Sequence, residues 1–220
     1  VVCGDATTTA ADVVGPKPGK SVAIGLSATT AGESNVALGA NSSASSTSGL
    51  AIGASSKAHH NQTVAIGERA NALGEADIAI GKAAGENANS TGRNIAVGEG
   101  AVKDAVSANN VIGIGTGAAQ KISGQHVIAI GTEANQGVSG VNQVVAIGYK
   151  SSAVTSQSVA VGTSSSAKGI GALALGNSSN AVTESSVAVG RFAQASGPNS
   201  IAVGGGRSAA QSAQAGGNYS

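Results

Sequence analysis

The chain of 220 residues contains no Trp and no Met, one Phe, two Tyr, one Cys and three Pro. A core of large aromatics and Met gathered from distant segments is thereby excluded. A lone Cys3 builds no disulfide framework and is read as a bystander or an intermolecular thiol. So few prolines, with no period of three among the glycines, exclude collagen. Charge is scarce as well: 12 basic and 11 acidic residues leave a net charge of +1, which argues against nucleic acid as the main partner. No apolar stretch reaches the ~20 residues that cross a bilayer. The first ten residues lack the charged start and apolar run of a signal peptide. Disorder is excluded too, because Val and Ile recur on a strict pattern at low net charge.

What is abundant is Ala (43), Gly (34) and Ser (30), and their arrangement decides the fold class. A string of aliphatic, small, aliphatic, glycine recurs from Val22-Ala23-Ile24-Gly25 to Ile201-Ala202-Val203-Gly204. Its closing glycines are Gly25, Gly39, Gly53, Gly67, Gly81, Gly98, Gly115, Gly131, Gly148, Gly162, Gly176, Gly190 and Gly204, thirteen in all, spaced 14 to 17 residues apart. The two large residues of each string are two apart and mostly β-branched, so they share one face of a strand. The glycine suits a sharp turn with positive φ or close backbone approach. Three residues after it stands Ala or Ser, with Arg207 the exception. Five after it, in the 14-residue repeats, stands Ala, with Thr30 the exception. Each repeat therefore reads as two short strands and tight turns, one strand giving large and the other small residues to the interior. Stacked, they make two parallel sheets, an all-β β-roll or β-solenoid of about 13 coils of 14–17 residues, on the order of 60 Å long at ~4.8 Å per coil. In the longer repeats the small or apolar residue reappears two positions later, as Ala88, Ala105, Ile122 and Val138. An insertion of two keeps the face, and residues 82–147 read as a wider belt with inserted turns.

The middle residue of each string is expected to face outward. It is Ala23, Ala37, Ala51, Ala65, Ala79, Ala96, Gly113, Ala129, Ala146, Ala160, Ala174, Ala188 or Ala202. A row so uniformly small is expected to be an interface with sister chains about the rod axis, because so thin a coil has a marginal core alone. The domain reading is an irregular lead-in over 1–19, a roll over 20–209, and a tail or truncated connection over 210–220.

Lys20-Ser21-Val22-Ala23-Ile24-Gly25, Gln157-Ser158-Val159-Ala160-Val161-Gly162 and Asn199-Ser200-Ile201-Ala202-Val203-Gly204 resemble the head repeats of trimeric autotransporter adhesins of the YadA type, a likeness spanning roughly residues 20–209. The resemblance implies a left-handed parallel β-roll assembled as a parallel homotrimer and displayed at the cell surface from a Gram-negative outer membrane. It implies attachment to host cells or extracellular-matrix proteins such as collagen, fibronectin or laminin, with no catalysis. A passive spacer or protective coat is the alternative. No neck, heptad stalk or anchor strands are visible, so the chain is expected to be a head fragment without membrane contact of its own, its anchor lying elsewhere in a longer parent. No repeat combines the Asn at the first position and the Ser at the ninth that mark the collagen-binding form of the motif.

Little else points to chemistry. His59 and His60 are adjacent and read as a surface loop; His126 precedes an apolar run and is a candidate for the trimer axis, where bound ions suit such an architecture. Ser is plentiful, but His and acidic partners are not grouped with it, so no nucleophile, cofactor or metal site is expected. Asn-x-Ser/Thr matches at Asn41, Asn61, Asn89, Asn177 and Asn218 are what chance gives in so Asn- and Ser-rich a chain.

Overall fold

The structure, a computed structural model, describes residues 21–217. The lead-in of residues 1–19 with Cys3, and Asn218 at the other end, lie outside the described residues. The chain divides into two compact units, residues 1–110 and 111–220.

In the first unit, the strings form short parallel strands at Val22–Ile24, Val36–Leu38, Leu50–Ile52, Val64–Ile66, Ile78–Ile80 and Ile95–Val97, paired in that order. The register sets Ala23 beside Ala37, and so on through Ala51, Ala65, Ala79 and Ala96. A second parallel sheet runs through Thr29–Ala31, Ser43–Ser45, Lys57–Ala58 and Asn71–Ala72. In the second unit the string strands are Ser123–Ile130, Val141–Ile147, Val159–Val161, Leu173–Leu175, Val187–Val189 and Ile201–Val203. Their companions are Ser152–Ala153, Ser166–Ala167, Asn180–Ala181, Gln194–Ala195 and Gln214–Ala215. The strand Val106–Ile114 belongs to both units. Counted over the two, this is an all-β parallel β-solenoid of about thirteen coils. A 3-10 turn at Ala209–Gln211 is the only helical element among the described residues.

The thirteen string glycines all have φ between +122° and +141°. An added Cβ at Gly162 would lie 2.5 Å from the carbonyl oxygen of Gly176 in the next coil, closer than a Cβ and an oxygen can approach. The backbone of each coil thus passes against that of the next where the chain leaves the string strand.

Inside and outside are reversed from the sequence expectation. The middle alanines point into the coil and are buried within a single chain, most of them completely, while the large residues flanking them point out and stay partly exposed. The reason is volume. A 14-residue coil closes two sheets around methyl-sized side chains: the middle Ala, the Ala or Ser three after the glycine, and the Ala five after it, as in Ala44, Ala58, Ala72, Ala153, Ala167, Ala181 and Ala195. Valine and isoleucine on both faces of that gap would force the sheets apart. Where Ser takes the turn position it returns its hydroxyl to the glycine carbonyl, as in Ser42 to Gly39 (2.8 Å) and Ser165 to Gly162 (2.9 Å). Thr30, the exception at the fifth position, is buried with a hydroxyl that has no partner among the described residues.

The longer coils differ in the expected place. Ala88, Ala105, Ile122 and Val138 are buried at the shifted position. The two extra residues add further tight turns: in the coil after Gly81, the amides of Ala84, Glu86 and Ala88 donate in succession to the carbonyls of Gly81, Ala83 and Gly85. These coils also hold the largest fully buried aliphatics, Val102 in the first unit and Val111, Ile122, Val127, Val141 and Val144 in the second. Within residues 210–220, Gln214–Ala215 pairs with Gln194–Ala195 and adds one strand to the companion sheet of the second unit.

Candidate interaction surface

The side chains that each coil turns outward from its string strand are large and apolar. In the first unit they run Val22, Ile24, Val36, Leu38, Leu50, Ile52, Val64, Ile66, Ile78 and Ile80, in register from coil to coil. In the second, Val159, Val161, Leu173, Leu175, Val187, Val189, Ile201 and Val203 continue the pattern. Val22 is 45% exposed, Leu38 42%, Ile201 57% and Val203 67%. Most of the others are partly exposed, and in each unit such an in-register row of Val, Ile and Leu is more than scattered surface apolar residues and marks an interaction face. Ala23, Ala37, Ala51, Ala65, Ala79, Ala96, Ala129, Ala146, Ala160, Ala174, Ala188 and Ala202, expected at that face, are instead at most 8% exposed inside the coil of one chain, and Gly113 is buried with them. They have no surface to offer a second chain.

The opposite sheet turns out a different, mostly polar face: Ser43, Lys57, His59 and Asn71 in the first unit, and Ser152, Ser166, Lys168, Asn180 and Gln194 in the second, with Leu73, Val154 and Val182 interspersed. His59 Nε2 lies 3.1 Å from Ser43 Oγ. Burial, and then the neighbouring Lys57 and His60, hold the His59 imidazole below its ordinary pKa, so the ring favours the neutral form. Among the described residues no acid completes this pair as a triad. His60 is exposed, and His126 sits exposed at a corner of its strand with φ +54°. No group of three or more His, Cys, Asp or Glu with metal-binding proximity occurs among the described residues.

Charges concentrate at turns. Glu86 receives Lys103 at 2.6 Å and Arg69 at 3.6 Å across successive coils of the first unit. Asp77 is buried at the step from 14- to 17-residue coils. Its carboxylate accepts the Gly74 amide (2.8 Å), the Asn94 amide (2.8 Å) and the Asn94 side-chain amide (3.1 Å). Beside it, Asn71, Leu73 and Val102 help line a cavity with room for about one water. Of the Asn-x-Ser/Thr positions, Asn61 is engaged, its Oδ1 accepting Ser46 Oγ (2.6 Å) and the Thr47 amide. Asn41 and Asn177 are exposed at turns.

Sequence reasoning missed one feature of the second unit. Tyr149-Lys150 and Arg191-Phe192 occupy the first and second positions after a string glycine, on the turn edge of their coils. Lys150 Nζ lies 5.2 Å from the Tyr149 ring centroid, and the Arg191 guanidinium carbon 4.9 Å from that of Phe192. A bond to the Tyr149 side chain, then the Glu133 carboxylate, raise the Lys150 pKa above its usual value. The available signal was scarcity: a chain with three aromatics places two of them at equivalent turns, each beside a cation.

A family model described as YadA head domain repeat (2 copies) matches residues 20–42, 36–56, 44–67, 61–84, 145–165, 167–193 and 184–206, more than half of the chain. The matched segments are the coils of 14-residue spacing; residues 85–144, the wide coils, are not matched. No curated protein shows significant similarity to the chain. No helix among the described residues is long and apolar enough to cross a membrane.

Proposed function

The chain belongs to the YadA head-repeat family, an adhesin-type and generally non-enzymatic surface family, and from that membership we propose that it is the head of a surface adhesin assembled as a parallel homotrimer of left-handed rolls. The single observation that carries the family is the repeat match over more than half the chain. Support for the assembly is the outward aliphatic row, which a single chain leaves partly in water. Fully burying an exposed Val or Ile is worth about 1.5–3 kcal/mol before association costs; each partly exposed residue of the row would gain a fraction of that, repeated from coil to coil. We place Val, Ile and Leu of the strings at the seam between copies, in place of the middle alanines. Three copies then share one apolar interior and turn their polar sheets outward.

The same membership supports display from a Gram-negative outer membrane and attachment to host cells or matrix proteins as parts of this proposal. Repeated weak contacts along each roll, multiplied by three chains and many copies per cell, give avidity without a deep pocket. Sedimentation at micromolar concentration should give three times 20.6 kDa. Surface-captured trimer should bind at least one of collagen, fibronectin and laminin. A monomer in the first measurement removes the assembly, and silence against the whole panel removes the matrix-binding part. The short polar outer sheet, without a cleft, also suits a passive spacer; a head deletion that keeps stalk length and leaves attachment unchanged would select it.

A further inference from the structure

We propose that the turn edge of the second unit, from Tyr149-Lys150 through Thr163-Ser164 and Asn177-Ser178 to Arg191-Phe192, is a binding site for a linear anionic polysaccharide laid along the stack of coils. It rests on the adhesive function above and names the ligand class of one surface.

The edge is a regular ladder. The Ser164 amide donates to the Tyr149 carbonyl (2.8 Å), Ser178 to Thr163 (2.9 Å) and Phe192 to Asn177 (2.9 Å), so the four turns stack in register. At ~4.8 Å per rung the two end pairs stand roughly 14 Å apart. Each end carries an aromatic ring with a cation against it. Tyr149 is 47% exposed, and Lys150, Arg191, Thr163, Ser164 and Asn177 are exposed. No acid stands on the four rungs. The nearest is Glu133 on the preceding coil, 3.4 Å from Lys150, and both are about half exposed, so the pair is weak and open to exchange. Arg191 makes no ion pair among the described residues.

Phe192 and Lys150 hold φ at +60° and +54°, a conformation that disfavours bulky side chains. The intervening rungs fill the same position with Ser164 and Ser178. The second unit as a whole is basic: Lys121, Lys150, Lys168, Arg191 and Arg207 against Glu133 and Glu184.

These groups suit a sugar polymer more than a folded partner. The edge is one turn wide, so it fits something thin and extended. Aromatic rings accept the C–H face of a pyranose. The guanidinium of Arg191 takes a sulfate or carboxylate bidentately. The hydroxyls and amide of the middle rungs match sugar hydroxyls at a periodic spacing. Net positive charge steers a polyanion to the edge and makes the association salt-dependent.

The test is binding of the full chain to immobilised heparin (sulfated), hyaluronan (carboxylated) and dextran (neutral), with collagen, fibronectin and laminin in parallel. Wild type should bind one or both polyanions, lose that binding as salt rises, and ignore dextran. Arg191→Gln and Lys150→Gln should each weaken polyanion binding about tenfold. Tyr149→Ala and Phe192→Ala should weaken it by several-fold with the salt slope unchanged. Lys168→Gln removes the same charge from the polar sheet, off the edge, and should change binding less than twofold. Binding to neither polyanion, or an equal loss in Lys168→Gln, overturns the site. So does a fall in sedimentation coefficient for the edge variants, which would make the edge a seam between copies. Binding to a matrix protein without either polyanion removes this ligand and leaves adhesion standing; silence on every surface removes both.

Discussion

At the scale of single residues, the glycines are not interchangeable. Gly162 (φ +134°) would set a Cβ 2.5 Å from the Gly176 carbonyl, whereas Gly171 (φ +66°) has only a serine hydroxyl, at 3.8 Å. Gly162→Ala therefore meets both an unfavourable backbone region and a backbone clash and should cost several kcal/mol, if the coil forms at all. Gly171→Ala meets only the left-handed penalty, about 1–2 kcal/mol. Chemical denaturation of the two variants checks the order, and equal losses would mean that coil contact is looser than drawn. His59 makes a second residue-scale test. Its folded pKa lies below the ordinary 6.5, first through burial and then through Lys57 and His60. The unfolded chain therefore binds the proton more readily. The stability this ring contributes is complete above pH 6.5 and is lost as pH falls from there through the folded value. Thermal melts between pH 7.5 and 5 should show that decline in the wild type and less of it in His59→Gln.

At the scale of the strand, the middle alanine and its flanks do opposite jobs, and one coil suffices to separate them. Ala174 is fully buried between strands, while Leu173 and Leu175 flank it on the outward face. Ala174→Leu overpacks a methyl-sized site and should destabilise the coil by about 1–3 kcal/mol or more. Leu175→Ser should leave the β-rich circular dichroism spectrum intact and weaken association instead. If Ala174→Leu were tolerated while lowering the sedimentation coefficient, the middle row would be the seam after all. This strand is also where the sequence was legible and where it misled. Period two, the closing glycine and the trailing Ala-x-Ala announced strand, turn and companion strand, and parity placed Ala88 and Ile122 correctly across the insertions. Parity alone does not say which face is inside. The usual rule sends Val and Ile inward, but a position held to one methyl along the chain is the one with the strictest volume limit, and that belongs to the interior of a narrow coil. Tyr149-Lys150 and Arg191-Phe192 were invisible for another reason: nothing in their local pattern announces a ring stacked on a cation, and only the coil register aligns their turns.

At the scale of the whole molecule, stability is divided between a chain's own interior and what its copies supply. The short coils bury alanine and serine, and the large buried aliphatics belong to the wide coils, at Val102 in the first unit and at Val111, Ile122, Val127, Val141 and Val144 in the second. Most of the remaining large aliphatics lie on the outward row, with Leu26, Val106, Val154 and Ile170 exposed elsewhere. If that row is closed by sister chains, unfolding releases three chains from one particle, and the folded state gains with concentration. Each tenfold rise then adds roughly 2.7 kcal/mol per mole of trimer, twice the free energy of a decade. Melting temperature measured from nanomolar to micromolar chain should climb steadily. Removing several outward residues together, such as Leu173, Leu175, Val187 and Val189 to Ser, should flatten that climb by destroying the trimer while the wide coils still protect their amides from exchange. A melting temperature independent of concentration in the wild type would mean that one chain, with its row of valines and isoleucines in water, is stable alone, and the assembly would have to be abandoned.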